Sequence, residues 1–142
     1  MQKKEDRLEA FKSALISTIK SISKKKDCEI KFGKPDLSGS NKIVNLPELN
    51  KIESIEDFSQ IRAKADSEAL RLKYSDKDIF EKYKPKGEIS KKLYKLAEKI
   101  RYEKIGSEKF LGIKKNLFYE YKENPDNNTD PIIASFDGYL KN

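Results

Sequence analysis

Hydrophobic residues recur along this chain at two different spacings, and the spacings divide it into elements. Leu8, Phe11, Leu15, Ile19 and Ile22 fall at helical intervals and form one stripe of a helix running from about Glu5 to Ser23. Lys24, Lys25 and Lys26 follow, where positive charge favours the negative end of the helix dipole. Between Cys28 and Phe32 the pattern changes to alternation, and Asn41 to Pro47 alternates again. Gly33, Pro35, Ser38 and Gly39 supply turn residues between the two pieces. Together they predict a small β-hairpin, ended at Pro47 because proline donates no ladder hydrogen bond.

Helical spacing then returns and persists. Ser54 with Asp57 three residues on resembles a capping box. After it, Phe58, Ile61, Ala65, Ala69 and Leu72 form a stripe that continues through Tyr74. A short helix over Asp76 to Tyr83 presents Ile79, Phe80 and Tyr83, and stops before Pro85-Lys86-Gly87. The next helix runs from Ile89 to about Ile105, burying Ile89, Leu93, Leu96, Ala97 and Ile100, with Gly106 expected as a left-handed C-cap. A last long helix covers about Glu108 to Tyr121 with Phe110, Leu111, Ile113, Leu117, Phe118 and Tyr121. Residues 124–129 are a polar break, after which Asp130 caps and Pro131 starts a short helix through Leu140. The expected fold class is mainly α with one small β-hairpin.

Composition narrows the chemistry more than the fold. The 142 residues favour one domain, and 36% hydrophobic against 39% charged residues implies a thin core under a charged surface. The net charge is +7, but arginine occurs only at Arg7, Arg62, Arg71 and Arg101, leaving 27 lysines among the 31 basic residues. Lysine is a hydrated point charge without the forked geometry that reads phosphates and bases, and these lysines are spread along the whole chain. A solubilising surface therefore explains the charge better than a nucleic-acid footprint. Cys28 is the sole cysteine, which excludes an intrachain disulfide and a cysteine-based zinc site and fits a reducing, cytoplasmic setting. No apolar run is long enough to span a bilayer. There is no histidine, which removes His general acid–base chemistry, Ser-His-Asp and Cys-His nucleophiles, and HExxH zinc sites.

Three stretches in order resemble the N-terminal region of the CobT family. The first is Glu29-Ile30-Lys31-Phe32-Gly33, then Leu37-Ser38-Gly39 and Val44-Asn45-Leu46-Pro47. The second is Ala65-Asp66-Ser67-Glu68-Ala69-Leu70-Arg71-Leu72 followed by Asp76, and the third is Leu96 through Ser107, reading LAEKIRYEKIGS. Order and spacing agree from about Phe11 to Leu117. The resemblance implies a role in aerobic cobalamin biosynthesis, where a cobaltochelatase uses ATP to insert cobalt into hydrogenobyrinic acid a,c-diamide. It implies two partners, an AAA+ ATPase subunit and a large subunit holding the tetrapyrrole, with ATP, magnesium and cobalt belonging to the assembly and no cofactor expected in this chain. The family's Asp-x-Ser-x-Ser metal-ion-dependent adhesion motif belongs to a C-terminal von Willebrand A-type domain, so the resemblance assigns no magnesium binding to this chain. On this reading residues 1–123 are a CobT N-terminal-like helical domain, and 124–142 begin a linker to a further domain.

A second resemblance is to zincin metallopeptidases, whose His-Glu-x-x-His helix sets two ligands on one face with Glu as general base. Ser67-Glu68-Ala69-Leu70-Arg71 occupies a comparable helix, and Glu98 through Glu103 resembles the later acidic helix of some zincins. Both ligand positions are replaced, by Ser67 and Arg71, and an arginine there opposes a divalent cation. The resemblance implies a degenerate zincin-like helical domain without peptidase activity. Spacing alone gives a structural reading: Glu68 with Arg71 and Glu98 with Arg101 are three apart on their helices and positioned to pair. Glu68, Arg71, Glu98, Arg101 and Glu103 are thus candidate structural or interface ion-pair residues, and no catalytic, cofactor or metal residue is expected.

Three functions remain in play. A non-catalytic interaction or scaffold domain of the cobaltochelatase follows from the resemblance. A basic helical nucleic-acid-binding module, the less favoured partner class, predicts salt-dependent binding to random DNA or RNA. Residual metal-dependent hydrolysis predicts stoichiometric bound zinc. Gly33 with Gly39 is too sparse for a phosphate loop, and Asp126 with Asp130 lacks the ligand density of a calcium loop.

Overall fold

A computed structural model describes residues 2–35, 38, 40 and 42–123, the last five of them by backbone alone. The polar break and the short helix expected from Asp130 to Leu140 lie outside the described residues. The chain enters through helix α1 (Gln2–Ser23), which buries Leu15 and Ile19 and half-buries Leu8, Phe11 and Ile22. Lys24 then turns left-handed at φ 59°, uncommon outside glycine, and the helix stops there. The Ser23 hydroxyl accepts the Lys25 N–H at 3.2 Å.

Strands β1 (Glu29–Phe32) and β2 (Ile43–Leu46) follow and pair in parallel, with Glu29 opposite Ile43 and Phe32 opposite Leu46. The expected hairpin is therefore corrected. Alternation specifies which face of a strand is buried and says nothing about its direction. Ten residues separate the strands, which is enough chain to run back past β1 before pairing, whereas a tight turn forces an antiparallel return. Gly33 begins the return at φ 99°, a conformation open to glycine. Val44 and Leu46 are fully buried beside the half-buried Ile30 and Phe32.

A 3₁₀ turn (Leu49–Lys51) leads into α2 (Ile55–Tyr74), the axis of the molecule. Its capping box is complete: the Ser54 hydroxyl accepts the Asp57 N–H at 3.1 Å, and the Asp57 carboxylate accepts the Ser54 N–H at 3.0 Å. Helix α3 (Lys77–Lys82) starts at Asp76, whose carboxylate accepts the Ile79 N–H at 3.1 Å. Helices α4 (Glu88–Lys109) and α5 (Leu111–Glu123) complete the described residues. The fold is mostly helical with one small sheet.

Two cores meet on α2. Ile61, Ala65, Ala69 and Leu72 pack with α1, the strands, Leu49 and Ile52. Ala63 and Leu70 pack instead with Tyr102 of α4 and Ile113 and Leu117 of α5. Burial of a side chain such as Ile19 or Leu70 contributes about 1.5–3 kcal/mol by transfer from water.

The helix boundaries bring three further corrections. Gly106 is not a C-cap, because α4 continues to Lys109 and is capped by Phe110. A Cβ at Gly106 would lie 2.2 Å from Leu70 Cδ2, so glycine stands there to let α4 approach α2. The last helix begins at Leu111 instead of Glu108, and Leu111 and Phe118 lie on its exposed side, as Ile89 does on α4. Among the described residues no helix is long and apolar enough to cross a membrane.

Candidate functional site

The five site residues expected from the sequence divide between two helices that touch. Glu68 and Arg71 project from α2, while Glu98, Arg101 and Glu103 project from α4. On α2, Arg71 Nη2 and Nε both donate to Glu68 Oε2, at 2.9 and 3.2 Å, and Nη2 also reaches the Ile43 carbonyl of β2 at 3.5 Å. Arg71 thus ties the helix to the edge of the sheet.

On α4, Arg101 grips Glu98 with two nitrogens, Nε to Oε2 at 2.8 Å and Nη2 to Oε1 at 2.7 Å. The same guanidinium donates to the Tyr74 carbonyl at 2.7 Å, so it closes the C-terminus of α2. The Ser75 hydroxyl donates to Glu98 Oε1 at 2.7 Å. The Arg101 bonds hold the Glu98 carboxyl below the usual carboxylate range, against burial, with the Ser75 bond adding to the shift.

The deepest polar contact crosses between the helices. Ser67 Oγ donates to Glu103 Oε1 at 2.5 Å, and both residues are buried. Tyr102 lies beside them, and its phenol is pushed well above the ordinary value by burial first and then by the negative charges of Glu68 and Glu103. The neutral phenol is the form held here.

A second polar contact, like Ser67–Glu103, was not anticipated from the sequence. Asn116 Nδ2 of α5 donates to Asp66 Oδ2 at 2.7 Å. Burial raises the Asp66 pKa, opposed in part by that bond and by the charge of Arg62. The signal was present, since Asp66 interrupts a stretch of buried α2 positions and Asn116 stands between Ile113 and Leu117.

This arrangement is poor metal chemistry. Arg71 brings a cation to one ligand position of the zincin pattern and is already paired with Glu68, while Ser67 at the other is bonded to Glu103. Among the described residues no group of three or more His, Cys, Asp or Glu side chains is placed to hold a metal ion. The donors do not fit a divalent ion. Instead they join α2, α4 and the sheet edge, with acids and bases satisfied by one another.

Two concavities flank this network. One, of about 800 Å³, is lined by Ile43, Asn45, Arg71, Lys95 and Glu98; the other, of about 560 Å³, by Pro47, Ser67, Lys99 and Glu103. Glu68 and Tyr102 line both.

Fold and site together define a helical domain with a small parallel sheet, whose central charged residues brace helices beside a long groove. The family model described as cobalamin biosynthesis protein CobT matches residues 5–128. The chain belongs to the CobT family, and its role lies in cobalamin biosynthesis. No curated protein and no solved structure matches the chain.

Proposed function

We propose that this chain is a non-catalytic interaction or scaffold domain of the cobaltochelatase, supporting ATP-dependent cobalt insertion into hydrogenobyrinic acid a,c-diamide. The observation that carries the reading is the engagement of the charged site residues. Glu68 is bonded to Arg71, Glu98 to Arg101 and Ser75, and Glu103 to Ser67. A general base must reach a proton of a substrate, and these carboxylates are committed to bonds within the protein. What the network does well is hold the walls of the groove in fixed relation.

The partners on this reading are the AAA+ ATPase subunit and the large corrin-binding subunit, with ATP, magnesium and cobalt acting elsewhere in the assembly. The test is light scattering after size exclusion, with the chain mixed with the cognate AAA+ subunit and, separately, the large subunit. Each mixture is run with and without ATP. Co-elution with either subunit is the expected result. Separate elution from both, with and without ATP, would overturn the reading.

A further inference from the structure

Helix α5 is apolar on two sides. Ile113 and Leu117 face inward and are buried with Ala63, Leu70 and Tyr102. Leu111 and Phe118 stay 67% and 69% exposed, although both are large hydrophobic side chains. They stand seven residues apart, two helical turns, and so share one face of the helix about 10 Å apart along its axis. Lys114 and Lys115 lie between them on that face, four and three positions before Phe118, and both are exposed. The inner pair anchors the helix to the domain and leaves the outer pair without a role in the core.

The charge of this face has one sign. From Lys109 to Phe118 the chain holds three lysines and no acid. No salt bridge joins Lys114 or Lys115 to an acid among the described residues. The neighbouring acids lie elsewhere. Asp66, which touches α5, is buried and bonded to Asn116. Glu108 is on α4, about 200° around that helix from Gly106, which faces α2. Glu120 and Glu123 occupy positions about 200° and 140° around α5 from Phe118. A contrasting group of exposed apolar residues, Ile79, Tyr83 and Ile89, sits among mixed charges, with Glu81 and Glu88 paired to Lys84 and Lys91.

We propose that the outer face of α5 docks an amphipathic helix of another polypeptide. That helix sets two apolar residues seven apart against Leu111 and Phe118 and brings carboxylates to Lys114 and Lys115. The proposal rests on the interaction role above and supplies the chemistry of the partner. Two anchors separated by two turns match a helix lying alongside, which presents its own side chains at that interval. Opposite charge around the anchors selects and steers such a partner. A second copy of this chain would bring lysine to lysine on this face, with +7 on each molecule, so charge disfavours it. A membrane surface takes up helices with a broad apolar side, and the inner apolar side of α5 is occupied by the core. Residues 109–123 also contain no arginine, the side chain best shaped to read phosphates.

Random peptides of about sixteen residues, roughly four helical turns, displayed on phage and selected on the whole chain, provide the probe. Acidic sequences with apolar residues at helical spacing are expected to be enriched. Proline at the centre of the best binder should weaken it about tenfold or more, since it breaks the helix. Leu111→Ser with Phe118→Ser should weaken binding at least as much and leave the urea midpoint nearly unchanged, because both side chains are exposed. Lys114→Glu with Lys115→Glu should abolish binding of the acidic peptide and confer binding of a peptide whose acids are changed to lysine. That exchange carries the test even if the serine substitutions disturb folding. Absence of enrichment, enrichment of basic or neutral peptides, tolerance of proline, or indifference to either pair of substitutions would each overturn the proposal. So would release of the peptide by phosphatidylserine vesicles. If the chain with both serine substitutions still co-elutes with its subunit as wild type does, only this face is removed. Peptide binding as described without subunit co-elution keeps the face and removes the cobaltochelatase partners.

Discussion

α2 packs two interiors of opposite character. Toward α1 and the strands it presents Ile61, Ala65, Ala69 and Leu72 to a dry core that includes Ile19, Val44 and Leu46. Toward α4 and α5 it presents Ala63 and Leu70 together with Asp66 and Ser67, and the opposing side brings Tyr102, Glu103 and Asn116. The first interior is held by area removed from water, which is non-directional and tolerant of small shifts. The second depends on hydrogen bonds whose partners must stay in place, because a buried polar group left without one is costly. The difference teaches where the fold gets stability and where it gets fixed geometry. The wall of the groove belongs to the second interior.

The largest effect belongs to the dry side. Ile19→Ala should lower unfolding stability by about 2–5 kcal/mol, read by urea titration, because a fully buried side chain is replaced by a cavity. A loss under about 1 kcal/mol would show that this interior collapses readily around the gap.

On the polar side, Ser67→Ala removes a donor from the buried Glu103 carboxylate and should destabilise by about 1.5–3 kcal/mol. Ser67→Thr keeps the hydroxyl and should recover part of that loss. If Ser67→Ala and wild type unfold at the same urea concentration, the second interior does not depend on this bond.

The approach of the two helices gives a smaller effect with a sharper signature. Gly106→Ala sets a methyl against Leu70 and should cost about 1–3 kcal/mol, offset by about 1 kcal/mol of helix propensity. In a Leu70→Ala background the same substitution should be neutral or stabilising, since the obstructing side chain is gone. Additive effects in this double-mutant cycle would contradict the close approach.

The smallest effects are the pH dependences, which have opposite signs. Burial raises the Asp66 pKa in the folded state, so its contribution is full below the ordinary value of 3.8 and declines as pH rises through the raised value. Asp66→Asn should remove that decline and be neutral or stabilising at pH 7. Glu98 is the reverse: its folded pKa is lowered by Arg101, so its contribution is present above the ordinary 4.5 and is lost as pH falls through the lowered value. Glu98→Gln should therefore destabilise at pH 7 and match wild type in acid. Thermal unfolding of both variants from pH 3 to 7 reads the two slopes, and slopes of the same sign would contradict the assignment.

The helices were legible because their apolar periodicity is strong, and the start of α2 was legible because Ser54 and Asp57 are themselves the cap. What the sequence left open was orientation. Alternation in Cys28–Phe32 and Asn41–Pro47 identified both strands, but the parallel pairing depends on the path of the intervening chain. Gly106 was misread because a glycine near a helix end signals a cap, whereas its role is set by Leu70, thirty-six positions earlier. The pairs Glu68–Arg71 and Glu98–Arg101 follow from a three-residue spacing and are present as spaced. Ser67–Glu103 and Asp66–Asn116 join distant positions, and no local pattern encodes which helix will lie opposite.

The central claim is that these residues organise an assembly and perform no step of the chemistry. Cobalt insertion by the reconstituted cobaltochelatase, with Glu68→Gln and Glu103→Gln introduced together in this domain, tests it most directly. Circular dichroism provides the fold control. The account predicts an unchanged turnover rate at saturating concentrations of the subunits, with any defect confined to the concentration needed to assemble the complex. A collapse of turnover in a complex that still assembles fully would contradict it.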